Sequence, residues 1–305
     1  MRRGTSQDGR LLDLLSRAEQ SDFHLTTAAP LWAHTELYPS PFPLYCDIHA
    51  GLEVGIVLTG REEMRLEGSV IQGAPGDVWL CAMWEPHAFH SPVPETTNVV
   101  LVFLPSFLGE EMLGDIPWLS LFAVPPSKRP RVSSPDIREA ALAIGRELRH
   151  EIQRKDPGWQ SLVRLDLLRL LLYLSRGWNP PSLRQPGRRG YAGSLRRIMP
   201  ALTLVHEHNP ETISVAQAAC ACGLGRSRFT TLFRQTAGVS FGKFRQRARL
   251  AYVAHLLRAT GLSVEDIAAE AGFADSSHLH RSFVKYYGCT PGRYRDQADD
   301  AGCRK

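Results

Sequence analysis

Four side chains in the N-terminal half, Asp47, His49, Glu53 and His87, are of the types that act together in sites. Carboxylates and imidazoles can hold a divalent metal, with His90 close by in sequence, or they can hydrogen-bond a small polar ligand. His34, Tyr38, Arg61 and Trp84 add groups suited to such a ligand, because aromatic faces stack on sugar rings while His and Arg reach hydroxyls. A second set, near the other end of the chain, suits a different task. Arg226, Ser227, Arg228, Thr230, Thr231 and Arg234, then Ser276, Ser277, His278, His280, Arg281 and Lys285, are mostly short, polar or basic. Such side chains contact phosphates and base edges in the major groove of DNA.

The elements that must position the second set are written twice. Ile213 to Arg234 and Val264 to Lys285 each read as helix, tight turn, helix, with turns at Gly223 and Gly272. In the second helix of each copy, Phe229, Leu232 and Phe233, then Leu279 and Phe283, recur at three- and four-residue spacing and predict a buried stripe. The polar and basic residues are left on other faces. Ser214 with Gln217 has the form of a capping box, and Asp275 is placed to cap the second reader helix. A joining helix is expected from about Phe241 to Arg258, and a packing helix from about Tyr191 to His208 precedes the pair.

The first set sits in a stretch of short strands. Glu53 to Gly60, Glu63 to Leu66, Val70 to Gln72, Asp77 to Leu80 and Val99 to Leu104 are separated by Gly and Pro, which suggests a sandwich or barrel. Two helices follow. Asp136 to Lys155 carries a narrow stripe of Ile137, Ala141, Ile144, Leu148 and Ile152. Trp159 to Arg176 holds more Leu than one face needs, which points to a subunit interface. Packing of that helix against the barrel wall is the other account of it. Asn179 to Gly190 breaks every periodicity and reads as a linker. Leu11 to Leu15 is a short amphipathic segment, either an arm over a pocket or a peripheral helix.

Composition narrows the function. The net charge of +5 conceals an asymmetry: residues 188–305 hold 18 Lys or Arg against 9 Asp or Glu, while residues 1–187 hold 18 against 22. A basic half beside an acidic half predicts that the C-terminal part meets a polyanion. There is no apolar run of about 18 residues, nor the apolar core of a signal peptide near the start, so a cytoplasmic protein that does not enter membranes is expected. The six cysteines are scattered, and Cys220 with Cys222 lacks the second pair that a zinc site needs.

The residues Ile213-x3-Gln-Ala-Ala, Phe229-x3-Phe233-Arg234, Gly238-Val-Ser-Phe241, Ile267-Ala268, Gly272-Phe273-x-Asp275-x-Ser277 and Gly288-Cys-Thr-Pro291-x2-Tyr294-Arg295 together resemble the AraC/XylS family of bacterial transcription regulators. Gly225 stands where the family usually has a Ser cap, and Leu279 where an aromatic is common. The spacing Asp47-x-His49-x3-Glu53-x6-Gly60, then Pro75-Gly76-Asp77 and Pro86-His87, resembles the two motifs of the cupin barrel. The resemblance implies a cupin-like antiparallel β-barrel with a helical hairpin, followed by an all-α domain with two helix-turn-helix units. It also implies residues 1–178 as the effector-sensing and dimerisation domain, 179–190 as linker and 191–296 as the DNA-binding domain, with units at about 211–236 and 262–288. The expected function is an effector-controlled DNA-binding regulator with a sugar or sugar derivative as effector, an activator being the expected role although the sequence does not name the sign of regulation. His34, Tyr38, His49, Glu53, Arg61, Trp84 and His87 are its expected effector contacts. Partners are double-stranded DNA, RNA polymerase and a second copy of the chain, and no cofactor is expected. A metal-dependent cupin enzyme, using Asp47, His49, Glu53 and His87 as ligands, is the alternative.

Overall fold

The structure, a computed structural model, describes residues 19–21, 23–66, 69–109, 112–113, 116–176, 178, 194–207, 213–287 and 289–302. The expected segment at Leu11 to Leu15 and the linker lie outside the described residues.

Among the described residues, nine strands build the two sheets of the N-terminal half: β1 (Glu19–Gln20), β2 (Leu31–Tyr38), β3 (Phe42–Ile48), β4 (Leu52–Thr59), β5 (Glu62–Leu66), β6 (Ser69–Gly73), β7 (Val78–Cys81), β8 (His87–Ser91) and β9 (Thr96–Phe103). They form two sheets, in the orders β1-β3-β8-β5-β6 and β2-β9-β4-β7, with antiparallel pairing except for β1 beside β3. A short hairpin, β10 (Met112–Leu113) with β11 (Ile116–Pro117), follows. The strands β2, β3 and β8 are absent from the sequence reading because His34, Glu36, Asp47, His87 and His90 interrupt their apolar pattern. His34, Glu36, Asp47 and His87 lie on the inward side of their strands, while His90 pairs with Glu63 on the outer face.

The sheet β2-β9-β4-β7 has an apolar outer face of Val54, Ile56, Leu58, Val99, Leu101 and Phe103. The helix α1 (Pro135–Arg154) covers it with Ala141, Ile144 and Leu148, and α2 (Trp159–Ser175) packs on α1. Gly145 permits the close approach: a Cβ there would lie 2.7 Å from Leu58 Cδ2. The Ser134 hydroxyl accepts from Ile137 N–H and caps α1, with Pro135 preset for its first turn. On α2, Val163, Leu167, Leu170, Leu171 and Leu174 are buried, whereas Leu162 and Leu165 are 47% and 60% exposed.

Among the described residues, seven helices make the C-terminal part: α3 (Ser194–Glu207), α4 (Val215–Ala221), α5 (Arg226–Ala237), α6 (Phe241–Ala259), α7 (Val264–Glu270), α8 (Ser276–Tyr287) and α9 (Pro291–Gly302). The first unit, α4 and α5, closes on Phe229, Phe233, Phe241 and Phe244, whose rings meet at 5.2 to 5.6 Å. In the second, α7 and α8, Phe283 stacks on Tyr287 at 4.4 Å and meets Tyr294 edge-on. Between them α6 is buried on most of its circumference, as a helix shared by two small cores must be. The expected caps form: Ser214 and Gln217 make a capping box, Asp275 Oδ1 accepts from His278 N–H, and Gly223 and Gly272 take φ of 61° and 70°.

Candidate effector pocket and nucleic-acid interface

Strand register places the pocket residues in rows. On one sheet, Trp32, Val102, Glu53 and Cys81 lie side by side; on the facing sheet, Asp47, His87 and Leu66 do. At this end of the interior Glu53 is buried and surrounded by donors. Trp79 Nε1 donates to its Oε1 at 2.7 Å, His49 Nε2 is 3.1 Å from Oε2, and His87 Nε2 is 3.4 Å from Oε2. Burial alone would raise the Glu53 carboxyl, but the His87 charge and the imidazole hydrogen bonds outweigh it and hold the group well below the usual carboxylate range. Burial pulls the other way on His87, yet Glu53 dominates and raises its imidazole to about 9. Both nitrogens of His87 then face acceptors, the second being Glu85 O at 2.9 Å.

The metal reading meets this geometry directly. Asp47, His49 and His87, and likewise Glu53, Cys81 and His87, bring ligand atoms within 4.8 Å of one another. Asp47 Oδ1, however, accepts from Ile48 N–H and Ser21 N–H, and Glu53 already has donors on both oxygens. A metal would need both imidazoles to give up hydrogen bonds they make to carboxylate and carbonyl oxygens. The donor set is complete within the protein and fits a hydrogen-bonding cluster better than a coordination shell.

Other expected pocket residues separate into groups. Tyr38 is buried inside the barrel, close to Phe42 and Phe89, and His34 stacks on Trp32 at the same inward face of β2 but is half-exposed. Arg61 is exposed at the β4–β5 turn, where its backbone N–H donates to Thr96. Trp84 is buried in the β7–β8 loop, where its backbone meets both the pocket and the helical domain. Arg61 is turned to solvent and stands apart from the His49, Glu53 and His87 cluster, whereas Trp84 touches it through the bond from its backbone N–H to His49 O. Glu62, Asn98 and Glu36, which the sequence reading passed over, form a second polar end of the interior. Asn98 Nδ2 donates to Glu62 Oε1, and cross-strand pairing sets Asn98 beside Glu36. Burial with little compensation raises the Glu62 carboxyl to about 7. Between the two polar ends Trp79 lies against Gly55, where a Cβ would come within 1.8 Å of the indole.

The loop of residues 82–86 touches pocket and helical domain at once. Trp84, in the left-handed region at φ 55°, donates its backbone N–H to His49 O at 2.8 Å, and its carbonyl accepts from Tyr286 Oη of α8 at 3.2 Å. Glu85 accepts two hydrogen bonds from the buried Arg129 and feels Arg247 of α6. Nearby, a Cβ on Gly238 would fall 1.7 Å from Ala123 O, so the turn after α5 sits tightly on the barrel domain. A cavity of about 330 Å³ opens along this seam, lined by Met83, Phe122, Leu202 and Phe244 among others, with Lys243 on its wall.

The reader faces are open to solvent. Arg226, Ser227, Arg228, Thr230, Thr231 and Arg234 on α5 are exposed, as are Ser277, His278, His280, Arg281 and Lys285 on α8, while Ser276 is half-buried. Other basic residues of this domain have internal duties that charge counting hides. Arg245 donates to Ile213 O, Arg295 to Leu257 O and Leu262 O, and Arg249 to Ala271 O with its guanidinium 3.5 Å from the Phe273 ring centroid. The net basic excess is therefore concentrated in fewer, better aimed side chains.

A family described as "Helix-turn-helix domain" matches residues 201–297. An uncharacterized HTH-type transcriptional regulator of Haemophilus influenzae is 30% identical over 145 residues, which is 48% of either chain. This chain thus matches about half the length of that relative. The arabinose operon regulatory protein of Escherichia coli is 26% identical over 264 residues, covering 84% of this chain and 82% of the other. Among solved structures, ToxT from Vibrio cholerae aligns with a TM-score of 0.49 at 14% identity, over 88% of this chain and 98% of that one. Among the described residues, no helix is long and apolar enough to cross a membrane.

Proposed function

Because the chain belongs to the AraC/XylS family through its paired helix-turn-helix domain, we propose that it is a sequence-specific DNA-binding regulator whose barrel binds a small-molecule effector. The observation that carries this reading is the outward, basic and polar face on each of α5 and α8, left free while both helices bury their apolar stripes. The shared helix α6 has 19 residues, about 28 Å at 1.5 Å each, which suits two readers in successive major grooves.

In this proposal the effector is a sugar or sugar derivative held in the barrel interior. The aromatic residues Trp32, Tyr38 and Phe89 and the polar groups at both ends support it. The unit comprising residues 1–178 senses and dimerises, residues 179–190 link, and residues 191–296 read DNA. Exposed Leu162 and Leu165 on α2 support pairing with a second copy. The effector signal passes through Trp84 and Glu85, since both bridge the pocket to α8 or α6. RNA polymerase is the partner through which such a protein activates. The chain performs no chemistry on its effector, a reading favoured by the fully satisfied Glu53. Stoichiometric metal in purified protein, with turnover of a sugar-like substrate, would promote the cupin enzyme instead.

The test of the main reading is a gel shift against duplexes selected from a random pool. The full chain should enrich two short boxes, and replacing Arg226, Arg228 and Arg234 by Ala should abolish that shift.

A further inference from the structure

The two polar ends of the barrel interior differ in what they lack. Around Glu53 both carboxylate oxygens find donors from the protein. Around Glu62 they do not. Glu62 and Asn98 are 2% and 1% exposed, and the bond from Asn98 Nδ2 to Glu62 Oε1 uses one oxygen only. Glu62 Oε2 and Asn98 Oδ1 are both buried without a hydrogen-bond partner. Each such atom costs about 1–3 kcal/mol when it stays unmet, and unmet buried polar groups are rare. Asn98 Oδ1 is an acceptor and so is Glu62 Oε2 once the carboxyl is ionised, so whatever completes the ionised pair brings donors.

Charge and shape point the same way. The charged groups that act on Glu62 are Glu53 and Glu36, and those that act on Tyr38 are Glu36, Glu62 and Glu53. All are acidic. Strand alternation sends Glu62 inward with Met64 and Leu66, and Asn98 inward with Val100, so the orphaned atoms face the space between the sheets. The ring of Tyr38 lies 4.7 Å from Phe42 and 6.2 Å from Phe89, a group of aromatic faces beside the acids. Glu36 and His34, on the same face of the edge strand β2, have side chains 39% and 50% exposed, so this side of the interior opens to solvent.

We infer that Glu62, Asn98 and Tyr38 form a subsite for a primary ammonium group, and that the effector is an amine-bearing small molecule such as an amino sugar. Two N–H donors of the ammonium meet Glu62 Oε2 and Asn98 Oδ1, and the third faces Glu36 or the Tyr38 hydroxyl. The aromatic faces add cation–π attraction in a partly desolvated site. A carboxylate or phosphate in the same place would meet the charge of three acidic side chains. The inference rests on the reading of the barrel as the effector site, and narrows it from any sugar to a cationic one.

Calorimetric titration of the full chain with glucosamine, glucose and glucuronate tests it, since these hexoses carry an ammonium, a hydroxyl or a carboxylate on one frame. Glucosamine should bind at least about tenfold more tightly than the other two, as one charge-assisted hydrogen bond allows. The isosteric substitution Glu62→Gln should remove that preference with an unchanged circular dichroism spectrum. Should that variant fail to fold, Glu36→Gln at the open side should lower the preference about two- to threefold. Glucose or glucuronate binding as well as glucosamine, with Tyr38→Ala weakening all three, would overturn the ammonium subsite and leave the barrel as effector site. Binding by none of the three, or binding that neither Glu62→Gln nor Tyr38→Ala alters, would overturn both.

Discussion

The helical domain and the barrel place their polar residues on opposite sides, and that difference governs how each works. In α5 and α8 the apolar stripe faces in and the polar face looks outward, ready for a rigid, charged partner. In the barrel the outer face of one sheet is apolar and covered by α1, while the inner face holds Asp47, Glu53, Glu62, His87 and Asn98. A surface of the first kind contacts DNA without rearrangement. An interior of the second kind must satisfy its own groups or borrow donors from a ligand, so its state depends on occupancy.

Four changes would sharpen or break this contrast. The largest effect is expected outside: Ala at Arg226, Arg228 and Arg234 together should weaken specific DNA binding at least about a hundredfold, with thermal stability unchanged because all three are exposed. A filter-binding titration that finds parental affinity would remove α5 from the interface.

Next comes the interior. Glu62 has a folded-state value near 7 against an ordinary 4.5, so the folded state holds its proton more tightly than the unfolded chain does. For a raised carboxyl the sign is the reverse of the usual acidic case: stability falls as pH rises from about 4.5 through about 7. The shift corresponds to about 3 kcal/mol once both states are ionised. Glu62→Gln should therefore melt at the parental temperature near pH 4 and well above it at pH 8 in the absence of ligand. Equal melting curves at pH 8 would mean that Glu62 ionises without penalty.

A third change concerns the exposed part of α2. Replacing Leu162 and Leu165 by Asp should convert a dimer to monomer in sedimentation while leaving the fold intact, since both side chains are already in solvent in the single chain. A parental monomer would confine the remaining leucines to the intrachain core they already fill.

The smallest effect belongs to the seam. Tyr286→Phe removes the hydrogen bond to Trp84 O, worth about 1 kcal/mol, and should change the effector-dependent shift in DNA affinity about fivefold while leaving the affinity of the empty protein nearly unchanged. If the two affinities moved together, Tyr286 would be a packing residue and not part of the link.

The same contrast explains how much the amino-acid sequence discloses. The repeated units, their caps at Ser214 and Asp275, and the turns at Gly223 and Gly272 are local features, set by residues within one helical turn of each other. They are legible because an outward polar face leaves a clean three- and four-residue apolar stripe. The His49, Glu53 and His87 cluster was legible through motif spacing. Glu62 and Asn98 were not, because they stand on different sheets, on β5 and β9, and meet only where the two sheets face each other, and a lone Glu or Asn in a strand looks like a solvated one. Trp84 shows a related limit: its type suggested ligand stacking, whereas the left-handed backbone at this position and the bond from Tyr286 to its carbonyl come from tertiary structure. Strands β2, β3 and β8 escaped for the same reason, since inward polar residues break the alternation that marks a half-buried strand.

The central claim is that two outward faces, joined by α6, read DNA as a pair. Selection of bound duplexes from a random pool by the full chain, followed by sequencing, tests it most directly. The account predicts two short conserved boxes about one helical turn apart, with Arg281→Ala relaxing the sequence of only one of them. A single box, or enrichment without any sequence preference, would contradict it.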